Sequence, residues 1–252
     1  MNVHAIPEMP LITPGDDLAA IIIDALDSSK FDVSDGDILV IAQKIVSKSE
    51  NRYVDLATVT PSPQTRELAA KVAKDPRLVE LILSESSEVL RAAPGVLVVV
   101  HRLGYVMANA GIDRSNLDPN ENGREGVLLL PENPNAACAR MRSLFENNFQ
   151  RRIGVIINDS VGRAWRNGSV GMALGVAGPP ALWDRIGTND IFGQPLQITQ
   201  IGFADQIAAA AALVMGEGAE GQPVVKVGGL LWEAVTTDAD SLLRPKEQDL
   251  FR

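Results

Sequence analysis

The stretch Ile153-Gly-Val-Ile-Ile-Asn-Asp-Ser-Val-Gly-Arg-Ala-Trp-Arg166 decides how the rest of the chain is interpreted. It opens with an apolar run in which every residue except Gly154 is β-branched, a pattern typical of a buried strand. The run stops at three oxygen-bearing side chains, Asn158, Asp159 and Ser160, and we expect the strand to end there. Oxygens held rigidly at the edge of a sheet suit a hard cation such as Mg²⁺.

Two arginines, Arg163 and Arg166, follow on either side of Trp165, after a glycine that is typical of a loop. A guanidinium group can hold a carboxylate or a phosphate through two parallel hydrogen bonds. An ordinary Asx turn followed by surface arginines explains the same residues. Spacing alone favours that simpler interpretation, so the rest of the chain has to decide.

Composition and charge exclude several classes of partner. The chain has 252 residues, of which 46% are hydrophobic and 22% are charged, as is ordinary for a globular protein. Its net charge of −9 and its 4% of aromatic residues disfavour nucleic acids and anionic membranes as partners. The sequence shows neither a signal peptide nor 18 consecutive apolar residues, and we expect a cytoplasmic protein.

The cysteine and histidine residues do not indicate a catalytic or metal-binding site. The single cysteine, Cys138, excludes an intramolecular disulfide and is expected to be a small buried apolar residue. The two histidines, His4 and His101, are far apart in the chain and have no partner at metal-ligand spacing. We therefore expect neither a zinc site nor a Ser-His-Asp triad, and we predict a structural role for His101.

Strands and helices are mixed without a regular βαβ alternation, which predicts an α+β fold. We expect helices at residues 135–149 and 204–215, and short strands at residues 38–42, 96–100 and 196–201. Thr13 is predicted to cap the first helix, and the segment after Arg166 is glycine-rich up to Pro180. Because no repeat or linker marks a boundary, residues 1–252 are interpreted as a single unit.

Three polar clusters each follow an apolar element: residues 109–116, residues 158–160 and residues 216–218. If they converge, Asp113, Asp159 and Glu217 would form an all-oxygen site suited to one or two Mg²⁺ or Mn²⁺ ions. Their convergence cannot be read from the spacing. Lys48 is a candidate phosphate contact, although its position in the sequence alone favours a solvated surface lysine.

The pattern Gly216-x-Gly218-x-x-Gly221 resembles a dinucleotide-binding fingerprint. That fingerprint needs a strand before it and a helix after it, whereas here a helix precedes and a strand follows. The sequence also lacks Gly-x-x-x-x-Gly-Lys-Ser/Thr. The fold is therefore predicted to be neither a Rossmann fold nor a P-loop fold.

Taken together, the clusters are similar to those of the coenzyme F420-0:L-glutamate ligases, the F420 γ-glutamyl ligases. The similarity is colinear over nearly the whole chain and is specific as a combination. It rests on these motifs: Pro10-Leu-Ile12, Gly15-Asp-Asp-Leu18, Gly36-Asp37, Val46-Ser-Lys48, Asn109-Ala-Gly-Ile-Asp-Arg-Ser-Asn116, Asn158-Asp-Ser-Val-Gly-Arg163, Trp165-Arg166 and Met215-Gly-Glu217.

The resemblance implies a GTP-dependent ligase that adds one or more L-glutamate residues, γ-linked, to coenzyme F420-0. Activation would pass through an acyl phosphate and would release GDP and phosphate. The family implies the stand-alone α+β form, an intertwined homodimer, two Mg²⁺ or Mn²⁺ ions per site, and K⁺ as an additional cation. We further expect catalytic roles for Asp159, Arg163 and Arg166, with the hypothesis that Arg163 or Arg166 positions an anionic substrate group.

Ligand-binding positions also carry over from the resemblance. The divalent metal ligands implied are Asp113, Asp159, Ser160 and Glu217. The GTP-binding residues implied are Met9, Pro10, Leu11, Ile12, Gln43, Lys44, Lys48, Asn116, Met215, Gly216, Glu217, Gly218, Ala219, Glu220, Gly221 and Gln222.

The chain departs from the family pattern at a few positions. Gln43 and Lys44 stand where small hydroxyl residues are common, Asn51 replaces a usual glycine, and Ala164 replaces a usual proline. Two other functions stay open: a related amide ligase with a different acid acceptor, and a nucleotide- and metal-binding module without catalysis. The nucleotide itself, GTP or another, also stays open.

Overall fold

A computed structural model describes residues 1–29, 31–117 and 125–249. The helices are α1 (Leu18–Ser28), α2 (Gln43–Ser49), α3 (Pro63–Val72), α4 (Pro76–Ser84), α5 (Pro134–Phe149) and α6 (Phe203–Met215). The strands are β1 (Asn2–Ala5), β2 (Ile38–Ala42), β3 (Tyr53–Asp55), β4 (Ser86–Ala93), β5 (Val96–His101), β6 (Val106–Ala108), β7 (Gly126–Leu128), β8 (Gly154–Arg163), β9 (Arg166–Ala177), β10 (Leu182–Asp184), β11 (Gln200–Gly202) and β12 (Val224–Gly228).

The largest sheet in the described residues joins strands in the order β1-β12-β2-β8-β9. Strands β2 and β8 run parallel to each other, and the other pairs are antiparallel. Both central strands are apolar on both faces because helices cover both faces. In β2, Leu39 and Ile41 pack into the core that contains α1 and α5, whereas Ile38 and Val40 pack into the core that contains α6.

Strand β8 does not end at Ile157, so that prediction is wrong. It continues through Asp159 and Ser160 to Arg163 and forms a long antiparallel hairpin with β9, which is the glycine-rich segment. Asn, Asp and Ser disfavour strands locally, but the partner strand pairs with their backbone: Asp159 lies opposite Met172 and Ser160 opposite Gly171. A register shift between Ile157 and Asn158 marks the passage from the core to the polar residues.

Two smaller predictions also fail. Thr13 does not cap α1, because the cap is Asp17, whose Oδ1 accepts a hydrogen bond from the Ala20 backbone N–H at 3.1 Å. The strand expected at residues 196–201 is confined to β11, which pairs with β10. Leu196 instead bonds to the backbone of Gly187 and Thr188 within an irregular loop.

The other elements follow the predictions. The α+β class is confirmed, and residues 216–221 lie between helix α6 and strand β12, which is the wrong context for a dinucleotide fingerprint. Cys138 is fully buried in α5, and burial raises the pKa of its thiol. His101 is buried as well, and its Nδ1 accepts a hydrogen bond from the Leu103 backbone. None of the described helices combines the length and the apolar character needed to cross a membrane.

Helix α6 lies unusually close to strand β9 because Gly171 has no side chain. A Cβ atom at this position would stand 2.4 Å from the backbone oxygen of Ala208 in α6, well inside van der Waals contact. This close packing places the carboxyl end of α6, and Glu217 just after it, beside the polar part of β8.

Candidate active site

A cleft of about 470 Å³ opens where the loop before α1, helix α2, the loop after β6, strand β8 and the end of α6 meet. Residues of three polar clusters that are far apart in the sequence line it together, a convergence that their spacing in the sequence left open. The predicted residues that line the cleft are Met9, Pro10, Leu11, Ile12, Gln43, Lys44, Lys48, Asp113, Asn116, Asp159, Ser160, Met215, Gly216, Glu217, Gly218, Ala219, Gly221 and Gln222.

The floor of the cleft joins strand β8 to the segment after α6. The Ser160 hydroxyl donates a hydrogen bond to Glu217 Oε1 at 2.6 Å, and the Ser169 hydroxyl of β9 approaches the same oxygen at 3.3 Å. Asp159 Oδ1 accepts a hydrogen bond from the Ser160 backbone N–H at 2.9 Å. Because these groups sit on a paired hairpin, their backbone positions are fixed by the sheet.

The turn after α6 is folded tightly upon itself. Gly216 ends the helix at a φ of +73°, a conformation that favours glycine. The Glu220 carboxylate accepts a hydrogen bond from the Gly218 backbone N–H at 2.7 Å, and a Cβ atom on Gly216 would clash with Glu220 at 2.2 Å. Glu220 therefore shapes the turn, and it is absent from the lining of the cleft.

The loop after β6 supplies Asp113. Its backbone exchanges two hydrogen bonds of 2.9 Å with Leu128, which holds it against the end of β7. The loop reaches this position through residues in the left-handed region, Asn109 and Ala110, each at a φ of 54°. Asp113 Oδ1 accepts hydrogen bonds from the Ser115 backbone N–H at 2.7 Å and from the Ser115 hydroxyl at 2.9 Å.

Helix α2 provides two lysines that contact the loop after β6. Lys44 Nζ lies 2.6 Å from Asp113 Oδ2 and also donates to the backbone oxygen and the hydroxyl of Ser115. Lys48 Nζ, one turn further along, donates to the Asn116 backbone oxygen at 2.9 Å. The Asn116 side chain in turn donates to the Gly218 backbone oxygen at 3.2 Å, so it bridges two of the three clusters.

The two aspartates experience opposite electrostatic conditions. Burial raises the pKa of Asp159 to about 7; the Ser160 backbone hydrogen bond and Lys44 act to lower this pKa and Asp113 and Glu217 act to raise it, all by smaller amounts than burial. Burial also acts to raise the pKa of Asp113, but the hydrogen bonds from Lys44 and Ser115 outweigh it, and the net direction is downward. Asp159 thus lacks the counter-charge that Asp113 has.

The donor set fits a hard divalent cation. Asp113, Asp159, Ser160 and Glu217 offer only oxygen, which Mg²⁺ and Mn²⁺ prefer, and a cation would supply the charge that Asp159 lacks. The side chains are not assembled in advance, however. In the part of the chain that the structure describes, no three His, Cys, Asp or Glu side chains are grouped closely enough to hold a metal ion.

The predicted arginines lie elsewhere. Arg163 and Arg166 face each other at the tip of the β8–β9 hairpin, both exposed and outside the lining of the cleft. Arg163 donates to the Gly168 backbone oxygen at 3.2 Å, and Trp165 between them is 80% exposed. Within one chain, the hairpin tip and the cleft are therefore separate features.

Sequence reasoning left several lining residues unassigned. Ser115, which connects Lys44 to Asp113, stood inside a quoted motif but was given no role. The remaining unassigned residues of the lining are Ala42, Ile45, Asn158, Ala212 and Pro223. Asn158 was quoted as part of the polar run, whereas the apolar residues carried no signal that would separate them from core positions.

The sequence has close relatives among known proteins. The profile of the F420-0:Gamma-glutamyl ligase family matches residues 7–229. The chain is 44% identical over 247 residues to the coenzyme F420:L-glutamate ligase of Methanothermobacter thermautotrophicus, covering 97% of this chain and 96% of that protein. It is 41% identical to the ligase of the same name in Methanocaldococcus jannaschii, with 89% of this chain and 88% of that protein covered. With the Archaeoglobus fulgidus protein of that name the identity is 40%, over 100% of this chain and 96% of the relative.

Proposed function

This chain belongs to the F420-0:gamma-glutamyl ligase family, and from that premise we propose that it is a nucleotide-dependent ligase that joins L-glutamate to coenzyme F420-0. The observation that carries the proposal is the convergence of Asp113, Asp159 and Glu217 on one cleft. A non-catalytic binding module would not need three carboxylates beside two lysines. The relatives that cover nearly the whole chain are named for this activity.

In the proposed reaction, GTP activates the acceptor. A carboxylate oxygen of F420-0 attacks the γ-phosphorus, the bond to the β-phosphate oxygen breaks, and GDP leaves. The glutamate amine then attacks the carbonyl carbon of the acyl phosphate, loses a proton, and expels inorganic phosphate as the amide bond forms. The energy of one phosphoanhydride bond thereby drives the formation of one amide bond.

The protein's part in this reaction is to bind and to orient. In this proposal Lys44, Lys48 and Asn116, which line the cleft, contact phosphate oxygens, and the base of the nucleotide rests on the wall formed by residues 9–12. Asp113, Asp159, Ser160 and Glu217 would hold Mg²⁺ or Mn²⁺, which neutralises the negative charge that develops during phosphoryl transfer. K⁺ is included in the proposal as an additional cation, and Arg163 and Arg166 as contacts for an anionic group of a substrate that extends beyond the cleft.

The test is an incubation with F420-0, L-glutamate, GTP, KCl and either Mg²⁺ or Mn²⁺, analysed by mass spectrometry. We expect glutamate-sized mass increments on F420-0 and one GDP per increment. Asp159→Asn should lower turnover by at least about 100-fold, because a metal ligand is lost at the centre of charge development. Asp24→Asn, an exposed exchange of the same type on α1, is the matched control and should keep full turnover.

Other outcomes separate the alternatives. Nucleotide hydrolysis without any change to F420-0 would exclude this acceptor and require a screen of other carboxylic acids. Intact nucleotide and unchanged F420-0 would likewise exclude this acceptor, whereas nucleotide binding without hydrolysis in the presence of every acid screened would favour the non-catalytic binding module. Replacing GTP by ATP in parallel reactions tests the choice of nucleotide.

We also propose that the protein acts as a homodimer. The loop between β10 and β11 carries Ile191, Phe192 and Ile198, whose exposed fractions are 92%, 81% and 86%. Such apolar exposure on one projecting segment is typical of an interaction surface. A second copy of the chain is the occupant that the family resemblance implies.

A further inference from the structure

Both oxygens of the Asp113 carboxylate have partners within the protein. Its Oδ1 accepts two hydrogen bonds from Ser115, and its Oδ2 lies 2.6 Å from Lys44 Nζ. A second lone pair stays available on Oδ2, but a divalent cation bound there would share this oxygen with the Lys44 ammonium group and would be repelled by its charge. Lys44 therefore competes with a cation for Asp113.

Lys44 is also satisfied in this arrangement. An ammonium group has three N–H donors, and Lys44 Nζ has three acceptors: Asp113 Oδ2, the Ser115 backbone oxygen at 3.1 Å and the Ser115 hydroxyl at 2.8 Å. The side chains of Lys44 and Asp113 are 21% and 28% exposed. The pair is thus partly shielded from water, which strengthens it relative to a fully exposed ion pair.

Asp159 provides the contrast. Among the described residues, no lysine or arginine nitrogen forms an ion pair with Asp159, although Asp113, Lys44 and Glu217 act on its charge at longer range. One aspartate of the proposed metal site therefore has a directly bound cationic side chain, and the other has none.

We propose that Lys44 is an internal counter-ion that blocks Asp113 in the ligand-free protein and moves to a nucleotide phosphate before Asp113 can bind a divalent cation. This inference rests on the proposed function in one respect, the phosphate-bearing co-substrate. The flexible four-carbon stem of lysine allows its ammonium group to exchange one anion for another. The nucleotide and the cation at Asp113 then bind with positive coupling, and by thermodynamic linkage each increases the affinity for the other.

If Lys44 had a purely structural role, its removal would change the affinity for a divalent cation in the opposite direction. If the ion pair only holds residues 113–116 in place, removing Lys44 would loosen that loop and weaken cation binding. If Lys44 is a counter-ion that competes with the cation, removing it would strengthen cation binding. The direction of the change therefore separates the two roles.

The experiment is a titration of the intact protein with Mn²⁺ in the absence of nucleotide, with free Mn²⁺ measured by electron paramagnetic resonance. Lys44→Met, which keeps most of the side-chain length, should bind Mn²⁺ at least about tenfold more tightly than the wild type, as expected for release of a partly shielded ion pair. Lys48→Met removes the same charge from the same helix without touching Asp113 and is the matched control. Adding Asp113→Asn to Lys44→Met should abolish the gain.

The coupling between nucleotide binding and cation binding is tested by repeating the Mn²⁺ titration in the presence of GDP. After correction for Mn²⁺ bound to free GDP, the nucleotide should increase Mn²⁺ affinity more in the wild type than in Lys44→Met. Unchanged or weaker Mn²⁺ binding by Lys44→Met would overturn the proposal, as would an equal gain in Lys48→Met. The ligase assay is independent of this result: if wild-type turnover were absent while the Mn²⁺ titration behaved as expected, the proposed reaction would fail and the counter-ion role would stand.

Discussion

Asp159 destabilises the folded protein when it is ionised, but the same charge would help to bind a metal ion. Its pKa lies near 7 because burial and two neighbouring carboxylates disfavour its charged form. In the folded, metal-free protein the ionised side chain is therefore destabilising, whereas a bound cation would reverse the effect. Residues that serve function at the expense of stability are common at active sites.

The raised pKa of Asp159 predicts how the stability of the protein depends on pH. Because the pKa of Asp159 is higher in the folded state than its ordinary value of 3.8, the stability from its protonated form is complete below pH 3.8 and is lost as the pH rises through 7. Relative to Asp159→Asn, the wild type should therefore lose up to about 4 kcal/mol of stability between about pH 4 and pH 7, at about 1.4 kcal/mol for each pH unit between the two pKa values, and then level off.

Urea unfolding at a series of pH values, with EDTA present, measures this difference. Asp24→Asn reports the effect of removing an exposed carboxylate outside the cleft. A difference between wild type and Asp159→Asn that stays constant from pH 4 to pH 8 would contradict the account of Asp159.

At the residue scale, the sequence could identify the acidic groups but not their partners. Asp113, Asp159 and Glu217 stand out because each follows an apolar element in a polar cluster. The contact between Lys44 and Asp113 joins positions 44 and 113, and no local pattern encodes such a pair. It depends on how helix α2 and the loop after β6 are placed by the rest of the fold.

At the scale of elements, the packing of helix α6 on strand β9 positions Glu217. Gly171→Ala would place a methyl group 2.4 Å from the Ala208 backbone oxygen, and a backbone atom cannot move aside as a flexible side chain can. We expect a loss of about 2–3 kcal/mol in the free energy of unfolding. We also expect weaker Mn²⁺ binding, because α6 would be displaced from Ser160.

Gly162→Ala in the same hairpin is the matched control, since a Cβ atom there meets nothing within 4 Å. Thermal unfolding followed by circular dichroism should show a lower melting temperature for Gly171→Ala alone. Equal melting temperatures for the two variants would mean that the close approach of α6 is not needed.

The same hairpin shows which part of the secondary structure could not be predicted from the sequence. The apolar half of β8 was predicted because its composition is decisive, and α5 and α6 were predicted for the same reason. The strand was predicted to end at Asn158, Asp159 and Ser160, because the apolar run stops there and these residue types disfavour strands. Pairing with β9 over the full length of β8 overrides that local preference, and this pairing is a long-range property that composition does not reveal.

At the scale of the whole molecule, the loop between β10 and β11 is held in a defined conformation by hydrogen bonds within the loop, while its large apolar side chains are exposed. Arg185 and Thr199 close it with a backbone hydrogen bond of 3.0 Å, and Asp190 Oδ1 accepts hydrogen bonds from the backbones of Phe192 and Gln194. A loop shaped in this way presents Phe192 outward in a defined position. That is what a contact with a second chain requires.

We therefore expect Phe192→Asp to convert the proposed homodimer into a monomer, because a charge would be buried in the interface without a partner. Size-exclusion chromatography with light scattering measures the mass directly. Leu144→Asp, which places the same charge at an exposed apolar position on α5, should leave the dimer intact. A dimer that survives Phe192→Asp would exclude this loop from the interface.

The order of strands in the central sheet also has a consequence for synthesis of the chain. Strand β1 pairs with β12, so that Asn2 lies opposite Gly228, and the lining of the cleft extends from Met9 to Pro223. More than 200 residues separate these segments, and contacts between such distant positions form slowly. During synthesis, therefore, the cleft cannot assemble or bind a ligand until the residues after α6 have left the ribosome.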